Sequence, residues 1–118
     1  VKVVYLAHPV KGLVKKNIRT VVKIVRTIAH ENSFVMPVAP YVEYNLALDD
    51  HIKSDRRLGM LFNKEFFMRR FIDELWLYGW KISEGMWQEI KLAKELGIPV
   101  VAKTSETEKA LKKGQNHG

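Results

Sequence analysis

Glu89 is the residue whose type and surroundings best suit it to chemistry. It interrupts the inward stripe of a helical stretch, with Met86, Ile90, Ala93 and Leu96 around it at helical spacing, so its carboxylate is partly withdrawn from water. Gly85 lies four residues earlier on the same face. Helical side chains lean toward the N-terminus, so no side chain covers the space into which Glu89 points. Ser83 opens that helix, where its hydroxyl and the free backbone N–H groups suit a ligand hydroxyl or phosphate. Together these residues make a small pocket with an acid at its floor. The structural alternative makes Ser83 only a cap, Gly85 a packing residue and Glu89 the solvated edge of the stripe. Spacing alone leans that way, because glutamate is an ordinary helix former.

Three other side chains have two readings each. Asp73 precedes the apolar part of a strand, where a buried charge without a partner is costly; it either orients a ligand hydroxyl or catalytic group, or sits at the surface. Tyr5 lies inside the first strand, its hydroxyl entering the cleft or bonding to backbone in the core. Trp80, just before Ser83, is placed to stack on a base or to anchor its loop. There is no glycine-rich dinucleotide or phosphate-loop fingerprint, no paired-histidine zinc motif and no Ser-His-Asp arrangement. His8, His30, His51 and His117 lack metal-ligand spacing, so neither a metal nor a cofactor is expected.

The elements that position these residues read as alternating strands and helices. Val3–Ala7 is a continuous apolar run suited to a strand buried on both faces of a parallel sheet. His8 to Gly12 forms a loop, and a helix follows from about Leu13 to His30, its apolar face carried by Val14, Ile18, Val21, Val25 and Ile28. A second strand is expected over Phe34–Val38. Tyr41 to Ser54 reads as a loop with a helical turn in it, and Asp55 as a possible cap for a helix to Arg70. A third strand falls within Phe71–Tyr78. Ser83 caps a helix to about Leu96, with Gly97 as its terminator. Ile98–Ala102 is a fourth strand, and Thr104 opens a last helix that fades into a polar tail over residues 114–118. This order is that of a three-layer α/β fold, Rossmann-like or flavodoxin-like, with a parallel sheet of about four to five strands flanked by helices. Ligands in such sheets bind beyond the carboxyl ends of the strands, which points to the loops after Ala7 and Tyr78.

The chain has 118 residues, 47% of them apolar and 28% charged, which bounds it to one folded domain over residues 1–113. It contains no cysteine, and no long apolar stretch reads as a signal or a membrane span, so a cytoplasmic setting without a membrane is expected. The net charge of +7 invites a nucleic-acid reading. The basic residues are scattered at spacings typical of solvated helix faces, so nucleic acid ranks last among the partners considered.

Tyr5-Leu6-Ala7-His8-Pro9, Asp73-Glu74-Leu75-Trp76-Leu77 and Ser83-Glu84-Gly85-Met86-Trp87-Gln88-Glu89-Ile90 ahead of Gly97-Ile98-Pro99-Val100 resemble the nucleoside 2-deoxyribosyltransferase superfamily. That group includes deoxynucleoside-monophosphate N-glycosidases and small phage and bacterial relatives. The resemblance implies cleavage or transfer at the N-glycosidic bond of a nucleoside or nucleoside 5′-monophosphate. Glu89 would attack the anomeric carbon, and water or a second base would resolve the glycosyl ester. It further implies that Asp73 binds the sugar or positions the nucleophile, that Ser83 contacts the sugar-phosphate side, and that Tyr5 lines the pocket. A homodimer or larger homo-oligomer is implied too, since relatives often complete the site with a neighbouring subunit. His8-Pro9 departs from the small residues usual after the first strand, which makes His8 part of a reshaped sugar or phosphate pocket. The rival reading is a non-catalytic nucleotide-binding module of the same fold.

Overall fold

A computed structural model describes residues 1–116 of the chain. In order come β1 (Lys2–Ala7), α1 (Val14–Glu31), β2 (Val35–Val38), α2 (Tyr41–Ala47), α3 (Lys53–Met68), β3 (Glu74–Leu77), α4 (Glu84–Glu95), β4 (Val100–Ala102) and α5 (Ser105–Asn116). The four strands form a parallel sheet in the order β2-β1-β3-β4. This is the expected α/β class at four strands.

β1 lies inside the sheet, which is why Val4 to Ala7 are all buried. Its side chains alternate between two layers. Leu6 packs with Val21 and Ile28 of α1, while Tyr5 and Ala7 join Phe67 of α3 and Met86, Ile90 and Ala93 of α4. Three layers result, with the sheet in the middle. Pro37 pairs with Val4 and is tolerated because β2 is an edge strand.

Local signals set several helix ends. The Ser83 hydroxyl accepts from the Met86 N–H at 3.3 Å, and Gly97 follows α4 with φ of +73°. Thr104 and Thr107 cap α5 reciprocally, each side-chain oxygen accepting from the other's N–H.

Elsewhere the structure corrects the reading. The stretch from Tyr41 is a helix rather than a loop with one turn, held by the Tyr41 hydroxyl donating to Leu6 O at 2.6 Å and by Asn45 Nδ2 donating to Tyr41 O. Ile52, not Asp55, stands at the N-cap of α3; Asp55 instead accepts from the Asp49 N–H across the preceding turn. The last helix runs on through Asn116, so residues 114–116 are not a tail. Gly114 sits so close to Trp87 that a Cβ there would lie 2.2 Å from the indole ring, and this contact docks the end of α5. His117 and Gly118 lie outside the described residues. Among those described, no helix is long and apolar enough to cross a membrane.

Candidate functional site

At the carboxyl end of β1 the chain turns through His8 and Pro9, and at the end of β3 through Gly79. These two turns touch. Gly79 has φ of +97°, and a Cβ on it would fall 2.5 Å from Pro9 Cδ and 3.5 Å from His8 Cδ2. Both backbone freedom and space are therefore required at this position. The Gly79→Ala variant is expected to lose about 1–3 kcal/mol of stability, read as a lowered urea midpoint. An unchanged midpoint would mean that the two turns are not in contact.

Beyond these turns opens a cleft of about 830 Å³, walled by α2, α3 and α4 along its length. Glu89 lies in it, only 9% exposed. The Tyr5 hydroxyl contacts both Glu89 Oε2 and Asn63 Oδ1, and Asn63 Nδ2 donates to Glu89 Oε2 at 3.0 Å. Burial raises the Glu89 carboxyl to about 7, against hydrogen bonds from Tyr5 and Asn63 that pull it down. No salt bridge is made to it among the described residues. A group that exchanges its proton near neutrality in a cleft is equipped for nucleophilic or acid–base chemistry.

Burial, followed by the nearby Glu89, holds the Tyr5 phenol well above its usual range; the same two causes act on Tyr41. Both stay protonated as hydrogen-bond donors. His8 is buried, and its Nδ1 lies 2.6 Å from Pro9 O, so the ring donates there and leaves Nε2 as an acceptor. Burial lowers the His8 pKa, against the Pro9 hydrogen bond that raises it, which keeps the ring neutral.

The first strand, its loop and α4 bring together Tyr5, His8, Ser83, Gly85 and Glu89, but Tyr5 does not line the cleft: it is fully buried and reaches the site only through its contacts to Glu89 and Asn63. Ser83 does serve as a cap, yet it also lines the cleft. Gly85 is not a packing residue: an added Cβ would meet nothing within 4 Å, so the space above Glu89 is open. Trp80 stands outside the cleft lining, half exposed, with its ring edge-on to His8 at 5.8 Å between centroids.

Asp73 is not in this site. β3 begins only at Glu74, and Asp73 Oδ2 accepts from the Val3 N–H at 2.8 Å at the amino end of the sheet. Its carboxylate completes the backbone pairing where β1 and β3 start, so it has no path to a ligand held beyond the opposite strand ends. Asn63 and Tyr41 belong to the site and were not read from the sequence. Gly59, Asn63 and Phe67 share one face of α3 at four-residue spacing, and a polar residue on that inward stripe was the available signal.

A family model described as a domain of unknown function, DUF7768, matches residues 2–103. The chain belongs to this family. The matched span of the DUF7768 domain runs from β1 through β4 and contains every wall of the cleft, with α5 lying beyond it. No curated protein and no solved structure matches the chain. Among the described residues, no group of three or more acidic or histidine side chains is arranged to hold a metal ion.

Proposed function

We propose that this DUF7768 domain cleaves or transfers at the N-glycosidic bond of a nucleoside or nucleoside 5′-monophosphate, with Glu89 as the nucleophile. The observation that carries the reading is a buried carboxyl, held by Tyr5 and Asn63, at the floor of an open cleft at the carboxyl end of a parallel sheet. The C1′–N bond breaks with its electron pair leaving on the base, a Glu89 oxygen bonds to C1′, and water or another base then displaces the ester. A buried anion beneath the sugar stabilises the oxocarbenium-like charge that develops on the way. Attack requires the carboxylate, so cleavage should rise with pH through about 7 as Glu89 ionises.

Chromatography of reactions with deoxynucleosides and nucleoside 5′-monophosphates, with and without an acceptor base, tests this. Free or exchanged base from the wild type and none from Glu89→Ala is the expected result. No base from folded wild type across the panel would overturn it.

Gly85 supplies a second test. The Gly85→Leu variant should keep or gain up to about 1 kcal/mol of stability, since leucine is the better helix former and its Cβ meets nothing within 4 Å. Its side chain fills the space over Glu89, so base release should fall about a hundredfold. Undiminished release would place the substrate elsewhere.

The position of Asp73 favours a second reading. With Asp73 spent on the Val3 N–H, the cleft lacks the carboxyl to which the resemblance gives sugar binding or positioning of the nucleophile. A non-catalytic nucleotide-binding module fits that loss. It would show nucleotide-induced thermal stabilisation that survives Glu89→Gln, with no base released.

A further inference from the structure

Tyr5, Asn63 and Glu89 make three polar contacts among three side chains: Tyr5 Oη to Asn63 Oδ1, Tyr5 Oη to Glu89 Oε2, and Asn63 Nδ2 to Glu89 Oε2. Each contact needs one hydrogen. Tyrosine has one to give. The Asn63 amide also gives one, because its nitrogen faces one partner while its oxygen faces the other, and turning the amide over leaves that count unchanged. With Glu89 ionised, two hydrogens serve three contacts, and two oxygen acceptors are left face to face. A proton on the carboxyl closes the ring: Tyr5 donates to Asn63, Asn63 to Glu89, and Glu89 to Tyr5.

We propose that Asn63 is a positioning residue that holds Glu89 as the protonated acid in the unliganded cleft, the closed ring latching α3 to β1 and α4 until that proton leaves. The three side chains come from these three separate elements, so the ring crosses the cleft floor and ties its α3 wall to the sheet. When the proton leaves, the Tyr5 hydrogen turns to the carboxylate. Asn63 Oδ1 then faces the bare side of the phenol oxygen, and the hydrogen-bonded tie of α3 to β1 is lost, leaving the Phe67–Tyr5 packing and the Asn63–Glu89 bond to hold the helix. Burial of Glu89 without a cation on it favours the same protonated state, against the pull of the Tyr5 and Asn63 hydrogen bonds toward the carboxylate, so it is the closed ring as a whole and not the Asn63 N–H alone that favours the acid.

The groups around Glu89 leave this balance intact. His8 faces the cleft from the loop after β1 and Tyr41 from α2, while Tyr5, fully buried, meets Glu89 from β1, all in neutral forms. Lys11 follows the β1 turn, Arg56 and Lys64 stand on α3, Lys81 precedes α4, and Lys91 lies on it. Among acids, Asp50 precedes α3, Asp55 is within it, and Glu84 and Glu95 lie on α4. None of these bonds to the Glu89 carboxyl.

The inference rests on the proposed nucleophile only for its consequence, that a proton must leave before attack; its test uses no substrate. Glutamate side chains are labelled with ¹³C at the carboxyl, the Glu89 resonance is assigned by its absence in Glu89→Gln, and wild type and Asn63→Leu are titrated by NMR. Leucine removes the amide at nearly the same side-chain size. The expected midpoint is near pH 7 in wild type and lower by roughly one pH unit in Asn63→Leu, the worth of one neutral hydrogen bond to the acid form. An unchanged or raised midpoint would mean that Asn63 only serves the carboxylate as a donor, and would overturn the proposal. Should Asn63→Leu not fold, amide hydrogen exchange in α3, corrected for the intrinsic effect of pH, decides the matter. Exchange that quickens through the Glu89 midpoint in wild type and stays level in Glu89→Gln supports the latch, and exchange that stays level in wild type overturns it. Either result is independent of base release.

Discussion

The Glu89→Gln variant is expected to lose base release by about a thousandfold or more, as removal of a nucleophile does, and to be more stable than its parent at pH 8. The second effect follows from where the proton sits. Folded Glu89 takes up a proton near pH 7, whereas the unfolded chain does so near 4.5. Between those values the folded protein holds more protons than the unfolded one, so the stability of the parent falls as pH rises. Glutamine is neutral throughout and escapes this loss. Its amide also brings two N–H donors to the ring, enough to serve Tyr5 and Asn63 once the Asn63 amide turns over.

The difference should therefore be near zero below about pH 4.5 and grow to about 3 kcal/mol above pH 7. In a domain of this size that is a rise in Tm on the order of 10 °C at pH 8. Urea unfolding of parent and variant at pH 4.5 and pH 8 checks it. A variant less stable than its parent at pH 8 would show that the carboxylate is welcome in the cleft, and undiminished base release would remove Glu89 as nucleophile. Lost activity joined to gained stability marks a residue kept at a cost to the fold.

What was legible in the sequence divides by the range of the interaction that decides it. β1 could be read because four consecutive apolar residues at the sheet centre announce burial on both faces, and α4 because Ser83 and Gly97 mark its ends locally. Glu89 and Gly85 were legible for the same reason, since one helix carries both. α2 was not. It has no side-chain cap, and the bond that holds it joins Tyr41 to the backbone of Leu6, 35 residues earlier. Asp73 was misplaced because its partner, the Val3 N–H, lies 70 residues away. Asn63 went unread because its meaning exists only where α3 meets β1 and α4. Sequence periodicity located the helix faces, while tertiary contact decided which polar residues on them converge.

The Phe67→Ala variant should lose about 3–5 kcal/mol, the usual cost of emptying a fully buried aromatic site. Phe67 lies in the last turn of α3 and packs in the core cluster, its ring 4.7 Å from that of Tyr5. It is the one side chain of α3 that is buried completely, and it seats the helix beside the sheet. Natural domains hold about 5–15 kcal/mol in total, so the variant should unfold at far lower urea and sit close to its stability limit. The damage should reach the site as well. Tyr5 loses a wall of its pocket and α3 loses its seat, so the Tyr5–Asn63–Glu89 contacts should loosen even in the molecules that remain folded. Phe67→Leu keeps most of the volume and should cost less than about 1.5 kcal/mol. The pair then separates packing from chemistry: base release per folded molecule should fall in Phe67→Ala and largely recover in Phe67→Leu. A cost below about 1 kcal/mol for the alanine variant would mean that α3 draws its place from other contacts, and that the cleft wall does not hang on this ring.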